Sequence, residues 1–110
     1  MPETQRGDVW LVDLGLAAKV RPCLVLSVPV AEQDRALVTM VAHTTSPRRS
    51  RFEVAITTRF LRTGVFDVQN LVTILHAKLL SKLDVLSATQ LAAVEAVVRT
   101  WLGLEPVFRS

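Results

Sequence analysis

PCLVLSV, residues 22–28, is a continuous apolar, largely β-branched or Leu run closed by Pro29. Such a run predicts a strand buried on both faces, because a half-buried strand would alternate apolar with polar residues. Pro22 at its head lacks an N–H, which a strand start tolerates. Working outward, DVWLVDL at residues 8–14 alternates and predicts a strand, with Gly15 to Lys19 as the loop behind it. Glu32-Gln33-Asp34 marks a turn, and ALVTMVAH at residues 36–43 predicts a third strand closed by Pro47. RFEVAIT at residues 51–57 alternates strictly, with Phe52, Val54 and Ile56 on one face and Arg51, Glu53 and Ala55 on the other. A fifth strand is expected over residues 65–74, after a turn at Gly64.

The period then changes. Ser87-Ala88-Thr89-Gln90 is a capping-box pattern, in which hydroxyl and amide side chains each satisfy a backbone N–H at a helix start. Leu91, Val94, Val98, Trp101 and Leu102 follow at helical spacing, Gly103 supplies a stop, and Pro106 prevents continuation. A helix is expected near residues 88–102, with Trp101 on its core stripe. Five short strands and a terminal helix give a mainly β fold with a C-terminal α element, either a strongly curved sheet or a small barrel.

The 110 residues are about one domain's worth, so residues 1–110 are read as a single domain. Half are hydrophobic and 21% charged, which excludes a disordered chain. The net charge of +3 is modest, but Arg48, Arg49, Arg51, Arg59 and Arg62 crowd a short stretch in which Glu53 is the only acid. Clusters of this kind are either solvated loops or anion-binding surfaces. Cys23 is the only cysteine and reads as a small buried apolar residue. Asp13, Asp34 and Glu53 lack metal-motif spacing, so neither a metal nor another cofactor is expected. The polar MPETQRGD start has no apolar signal region, and no run reaches the roughly 20 residues needed to span a bilayer. The expected location is cytoplasmic, with no membrane partner.

Two polar interruptions stand at the ends of these strands: Arg21 before Pro22, and His43-Thr44-Thr45-Ser46 before Pro47. A guanidinium is permanently charged and bidentate toward phosphate oxygens, and a hydroxyl can donate a hydrogen bond to them. The bland reading is also physical. Arg21 can pair with Asp13, and the hydroxyl run can bond its own backbone in a turn. Strand alternation sets His43 on the face opposite Thr44, so its imidazole is either a proton-transfer group or a structural one.

The ordered series of segments resembles the MazF/PemK family of toxin endoribonucleases. It comprises Arg6-Gly7-Asp8-Val9-Trp10, Val20-Arg21-Pro22-Cys23-Leu24-Val25-Leu26-Ser27, Val41-Ala42-His43-Thr44-Thr45-Ser46, Phe52-Glu53-Val54, Gly64-Val65, Gln69-Asn70-Leu71, Thr73-Ile74, and the stretch from Leu83 to Leu104. The resemblance implies a small SH3-like (MazF/CcdB-type) barrel with a terminal helix, usually a homodimer. It implies a toxin of a type II toxin–antitoxin pair that cuts single-stranded RNA without metal and is countered by an acidic antitoxin. The family's functional arginine falls on Arg21 and its functional threonine on Thr44, with His43, Thr45 and Ser46 as secondary catalytic or binding residues. Lys19, Arg48, Arg49, Arg51, Asn70, His76 and Lys78 are the expected RNA or antitoxin contacts. The chain departs from the family pattern in a short first loop without acid or hydroxyl, and in Val72 at a position that is often basic. That loop keeps open a non-enzymatic alternative: a CcdB-like gyrase inhibitor or a degenerate RNA-binding module.

Overall fold

The computed structural model describes residues 3–15 and 19–104. Residues 16–18 of the first loop, Pro106, and the C-terminal Phe108-Arg109-Ser110 lie outside the described residues. Six strands form one antiparallel sheet: β1 (Asp8–Asp13), β2 (Val20–Val25), β3 (Leu37–Thr44), β4 (Glu53–Val54), β5 (Val65–Leu75) and β6 (Leu79–Val85). The order across the sheet is β4-β5-β3-β2-β1-β6, and one helix, α1 (Ala88–Leu102), follows.

The core lies on both sides of this sheet, as the sequence of β2 requires. Val9, Leu24, Val41, Phe66 and Val68 are buried on one face, where Val94 and the half-buried Leu91, Val97 and Val98 of α1 cover them. Trp10, Val12, Cys23, Val25, Val38, Met40 and Ala42 form a second buried cluster. Alternate residues of β1, β2 and β3 therefore serve opposite cores. Cys23, Leu24 and Val25 are all fully buried. The Cys23 thiol is pushed up to about 12 by burial, only partly offset by the nearby Arg21 charge, so it is an inert apolar residue.

Four expectations are corrected. The mainly β fold with one C-terminal helix is as expected, but the sheet is open, with β4 and β6 at its edges, and is not closed into the small barrel that the resemblance implied. The sixth strand, β6, comes from Leu79-Leu80-Ser81-Lys82-Leu83-Asp84-Val85, whose exposure pattern is irregular. It pairs with β1 through two register shifts, which broke the periodicity that would have revealed it. The fourth strand shrinks to Glu53–Val54, because Glu53 is engaged by the preceding loop and this edge strand pairs only with β5. Trp101 is 40% exposed rather than core, with its ring 5.0 Å from that of Phe52.

The helix matches its sequence signature. The Ser87 hydroxyl accepts from the Gln90 N–H at 3.1 Å, and the Gln90 amide oxygen accepts from the Ser87 N–H at 2.9 Å. Gly103 ends the helix with φ 71°, a left-handed conformation that costs other residues about 1 kcal/mol or more. Replacing Ser87 by Ala should lower unfolding free energy by about 1 kcal/mol in urea titrations, without changing the slope of the transition.

Candidate active site

The two polar interruptions meet at one end of the sheet, and the register explains why. β2 and β3 pair at Cys23↔Ala42, Leu24↔Val41 and Val25↔Met40, and then stop. The Leu26 N–H donates to the Thr39 carbonyl at 2.9 Å, so even-numbered residues of β2 point their backbone groups at β3. Past Leu24, the next donor position along that edge is 22, and proline has no N–H. Beyond it the ladder does not continue, although β3 runs on to Thr44 against β5. Had the pairing continued, Arg21 would stand opposite Thr44. The strands part there instead, and the gap is a cavity of about 610 Å³.

Lys19, Val20, Arg21 and Pro22 form one wall of the cavity, and His43, Thr44, Thr45 and Ser46 form another. Leu11 and Leu83 also line it, as do Phe60, Leu61 and Arg62 from the segment before β5. Lys19 is exposed, held in left-handed geometry at φ 58° by two backbone bonds with Leu14 and Gly15 that close the first hairpin. The Thr44 hydroxyl accepts from the Ser46 N–H at 3.1 Å. This is the self-bonded turn expected of such a sequence. It also orients the oxygen and leaves the hydroxyl proton to donate elsewhere.

His43 is 3% exposed, and its ring meets Phe66 edge-on at 5.1 Å. Its Nε2 is buried without a hydrogen-bond partner among the described residues. Burial lowers its pKa below the ordinary histidine value, so the imidazole is neutral at pH 7. Alternation is obeyed: His43 packs toward the core shared by Val41 and Phe66, opposite to Thr44. It still borders the cavity.

The remaining candidates lie elsewhere. Arg48, Arg49 and Arg51 do not line the cavity. Their loop wraps the Glu53 carboxylate, which accepts from the backbone N–H of Arg48 at 2.8 Å and of Ser50 at 3.0 Å. The Arg48 N–H bond is the main cause of a lowered Glu53 pKa. The Arg51 guanidinium sits 4.5 Å over the Phe52 ring. Asn70 is exposed beside the register shift of β5 between Leu71 and Asp67. Lys78 borders a separate hollow near Asp13 and Thr73, and His76 is buried in a 3₁₀ turn between β5 and β6. Sequence reasoning noticed Arg62 only as one of a basic run and passed over Phe60 and Leu61. No sequence signal marks them, because Gly64, whose close approach to the end of β3 holds that segment by the cavity, reads in sequence only as a turn. Among the described residues no cluster of His, Cys, Asp or Glu could hold a metal ion.

The family model of PemK-like, MazF-like toxins of type II toxin–antitoxin systems matches residues 5–102. The chain belongs to this toxin family. An endoribonuclease in complex with its cognate antitoxin, from a mycobacterial species, superposes with a TM-score of 0.78 at 25% identity, covering 97% of this chain and 100% of that one. The Mycobacterium tuberculosis toxin MazF-mt6 superposes at 0.76 and 25% identity, covering 89% of this chain and 98% of that one. A MazE–MazF complex from Deinococcus radiodurans shares the fold at 0.78 and 20% identity, covering 94% and 98%. No curated protein matches the sequence. Among the described residues no helix is long and apolar enough to cross a membrane.

The buried neutral imidazole has a consequence for stability. An unfolded histidine binds a proton below a pKa of about 6.5, whereas His43 in the fold resists doing so. Stability should therefore be full above pH 6.5 and fall as pH drops below it toward the lowered folded pKa. Denaturant titrations at pH 7.5 and 5.5 should show this loss, and His43→Gln should reduce the difference between the two pH values.

Proposed function

We propose that this toxin is a metal-independent, sequence-specific endoribonuclease that cleaves single-stranded RNA, with Arg21 and Thr44 holding the reacting phosphate. The observation that carries the reading is the parting of β2 from β3, which leaves a guanidinium and an oriented hydroxyl on one cavity. The solved neighbours at 25% identity that are endoribonucleases support it.

RNA carries its own nucleophile, the 2′-OH beside the scissile phosphate. In the step proposed, the 2′-oxygen bonds to phosphorus as it loses its proton, and the bond to the 5′-oxygen breaks as that oxygen gains one. The products are a 2′,3′-cyclic phosphate and a 5′-hydroxyl. Arg21 neutralises charge gathering on the non-bridging oxygens, and Thr44 donates a hydrogen bond to one of them. His43 supports the floor of the cavity. Its Nε2 is screened from solvent, so the protons exchange mainly with water and the rate depends on positioning and charge. Thr45 and Ser46 extend the hydroxyl wall, and Lys19 adds a cation at the rim.

The partner read from the family is a cognate acidic antitoxin, whose carboxylates would compete with RNA for Arg21, Lys19 and the Arg48–Arg51 loop. The toxin is proposed to act as a cytoplasmic homodimer, which light scattering of the purified protein would check. The gyrase-inhibitor alternative is not favoured, since the matching family model is that of PemK-like and MazF-like toxins.

In EDTA, purified protein should cut single-stranded RNA to cyclic-phosphate ends. Arg21→Ala and Thr44→Val should each lower kcat by about 10²-fold or more. Full activity in Arg21→Ala, or no cleavage by the wild type, overturns the reading.

A further inference from the structure

We infer that Arg62 is a second phosphate-binding cation of the cleft, so that the site grips two phosphates of one RNA strand, with the scissile phosphate at Arg21. The inference rests on the endoribonuclease reading above and adds a residue that the resemblance did not supply. Arg62 lies on the segment between β4 and β5, and borders the same cavity of about 610 Å³ as Arg21 and Thr44.

Two fixed points hold that segment in place. On one side is Gly64. A Cβ built there would lie 2.2 Å from the Thr44 carbonyl oxygen and 2.9 Å from His43 Cε1, so the chain passes hard against the end of β3 where no side chain fits. On the other side Phe60 and Leu61 pack part of their surface on the core below α1. Arg62 is the exposed tip between them, and it makes no ion pair with another described residue. A cation that pairs with no described acid and borders the same cavity as a second arginine fits a polyanion with regularly spaced charges. The cavity-lining parts of Phe60 and Leu61 offer apolar surface on which the base between the two phosphates can rest.

The test combines salt-dependent binding with steady-state kinetics on the full chain. The probe is a 2′-O-methyl single-stranded oligoribonucleotide, which cannot be cut, followed by fluorescence anisotropy between 50 and 300 mM KCl. Losing one phosphate contact should reduce the slope of log affinity against log salt by about 0.7 in Arg62→Ala. On cleavable RNA the same variant should raise KM about tenfold and leave kcat within about twofold. Arg62→Lys, which keeps a point charge, should restore the salt slope. Arg59→Ala removes an equal charge from an exposed position that does not line the cavity, and should change neither quantity. An unchanged slope and KM in Arg62→Ala, with wild type binding and cutting normally, overturns this inference alone. Equal effects in Arg59→Ala and Arg62→Ala overturn it in favour of general charge. A wild type that neither binds nor cuts RNA overturns the endoribonuclease reading, and this inference with it.

Discussion

One missing N–H organises this molecule. Pro22 sits within β2, where every other backbone donor along the same edge is aimed at β3, and its ring nitrogen has nothing to give. The β2–β3 ladder stops at Cys23↔Ala42 as a result. β3 continues alone against β5, and the unzipped end becomes the cavity. Placing a proline mid-strand is ordinarily destabilising in a central sheet. Here the strand keeps its other neighbour, since Pro22 still stands opposite Leu11 of β1. The sheet tolerates the interruption because two buried cores clamp the same strands a residue or two away.

Much of this was legible in the sequence, for physical reasons that differ from element to element. PCLVLSV is apolar throughout because Leu24 and its flanking residues Cys23 and Val25 serve opposite cores, and that demand is visible in composition alone. α1 is legible because a capping box and a left-handed glycine are local devices whose geometry does not depend on the remainder of the chain. β6 was not, because it lies at an edge with Lys82 and Asp84 outward and slips register twice against β1. Its pattern is a product of tertiary pairing, which a linear reading cannot see. Trp101 was misassigned for a related reason. Helical spacing put it on the stripe, but near the end of α1 the ring is 40% exposed and tilts against Phe52.

The site divides in the same way. Arg21 and Thr44, the pair proposed to hold the phosphate, were visible as polar interruptions at strand ends, and both border the cavity where the β2–β3 pairing has stopped. The basic run from Arg48 to Arg51 looked equally suited to an anion, yet Glu53 gathers its backbone and Phe52 engages one guanidinium. Proximity of charges in sequence thus did not become membership of the cleft. Arg62, a few residues further on, did reach it, because Gly64 allows an approach to the Thr44 carbonyl that any other residue would block. A glycine away from any left-handed turn carries no conformational signature in sequence, and only the close approach reveals its purpose.

The position of Cys23 has a practical reach beyond packing. Its sulfur is enclosed between strands, and its proton is held so firmly that thiolate is scarce at any pH at which the protein would be handled. This thiol therefore offers alkylating reagents and mild oxidants little to attack in the native fold. A cysteine introduced on an exposed tip would be the sole reactive thiol in the chain. That makes the protein a ready scaffold for attaching a single fluorophore or spin label at the mouth of its cleft, with the native sulfur left silent inside.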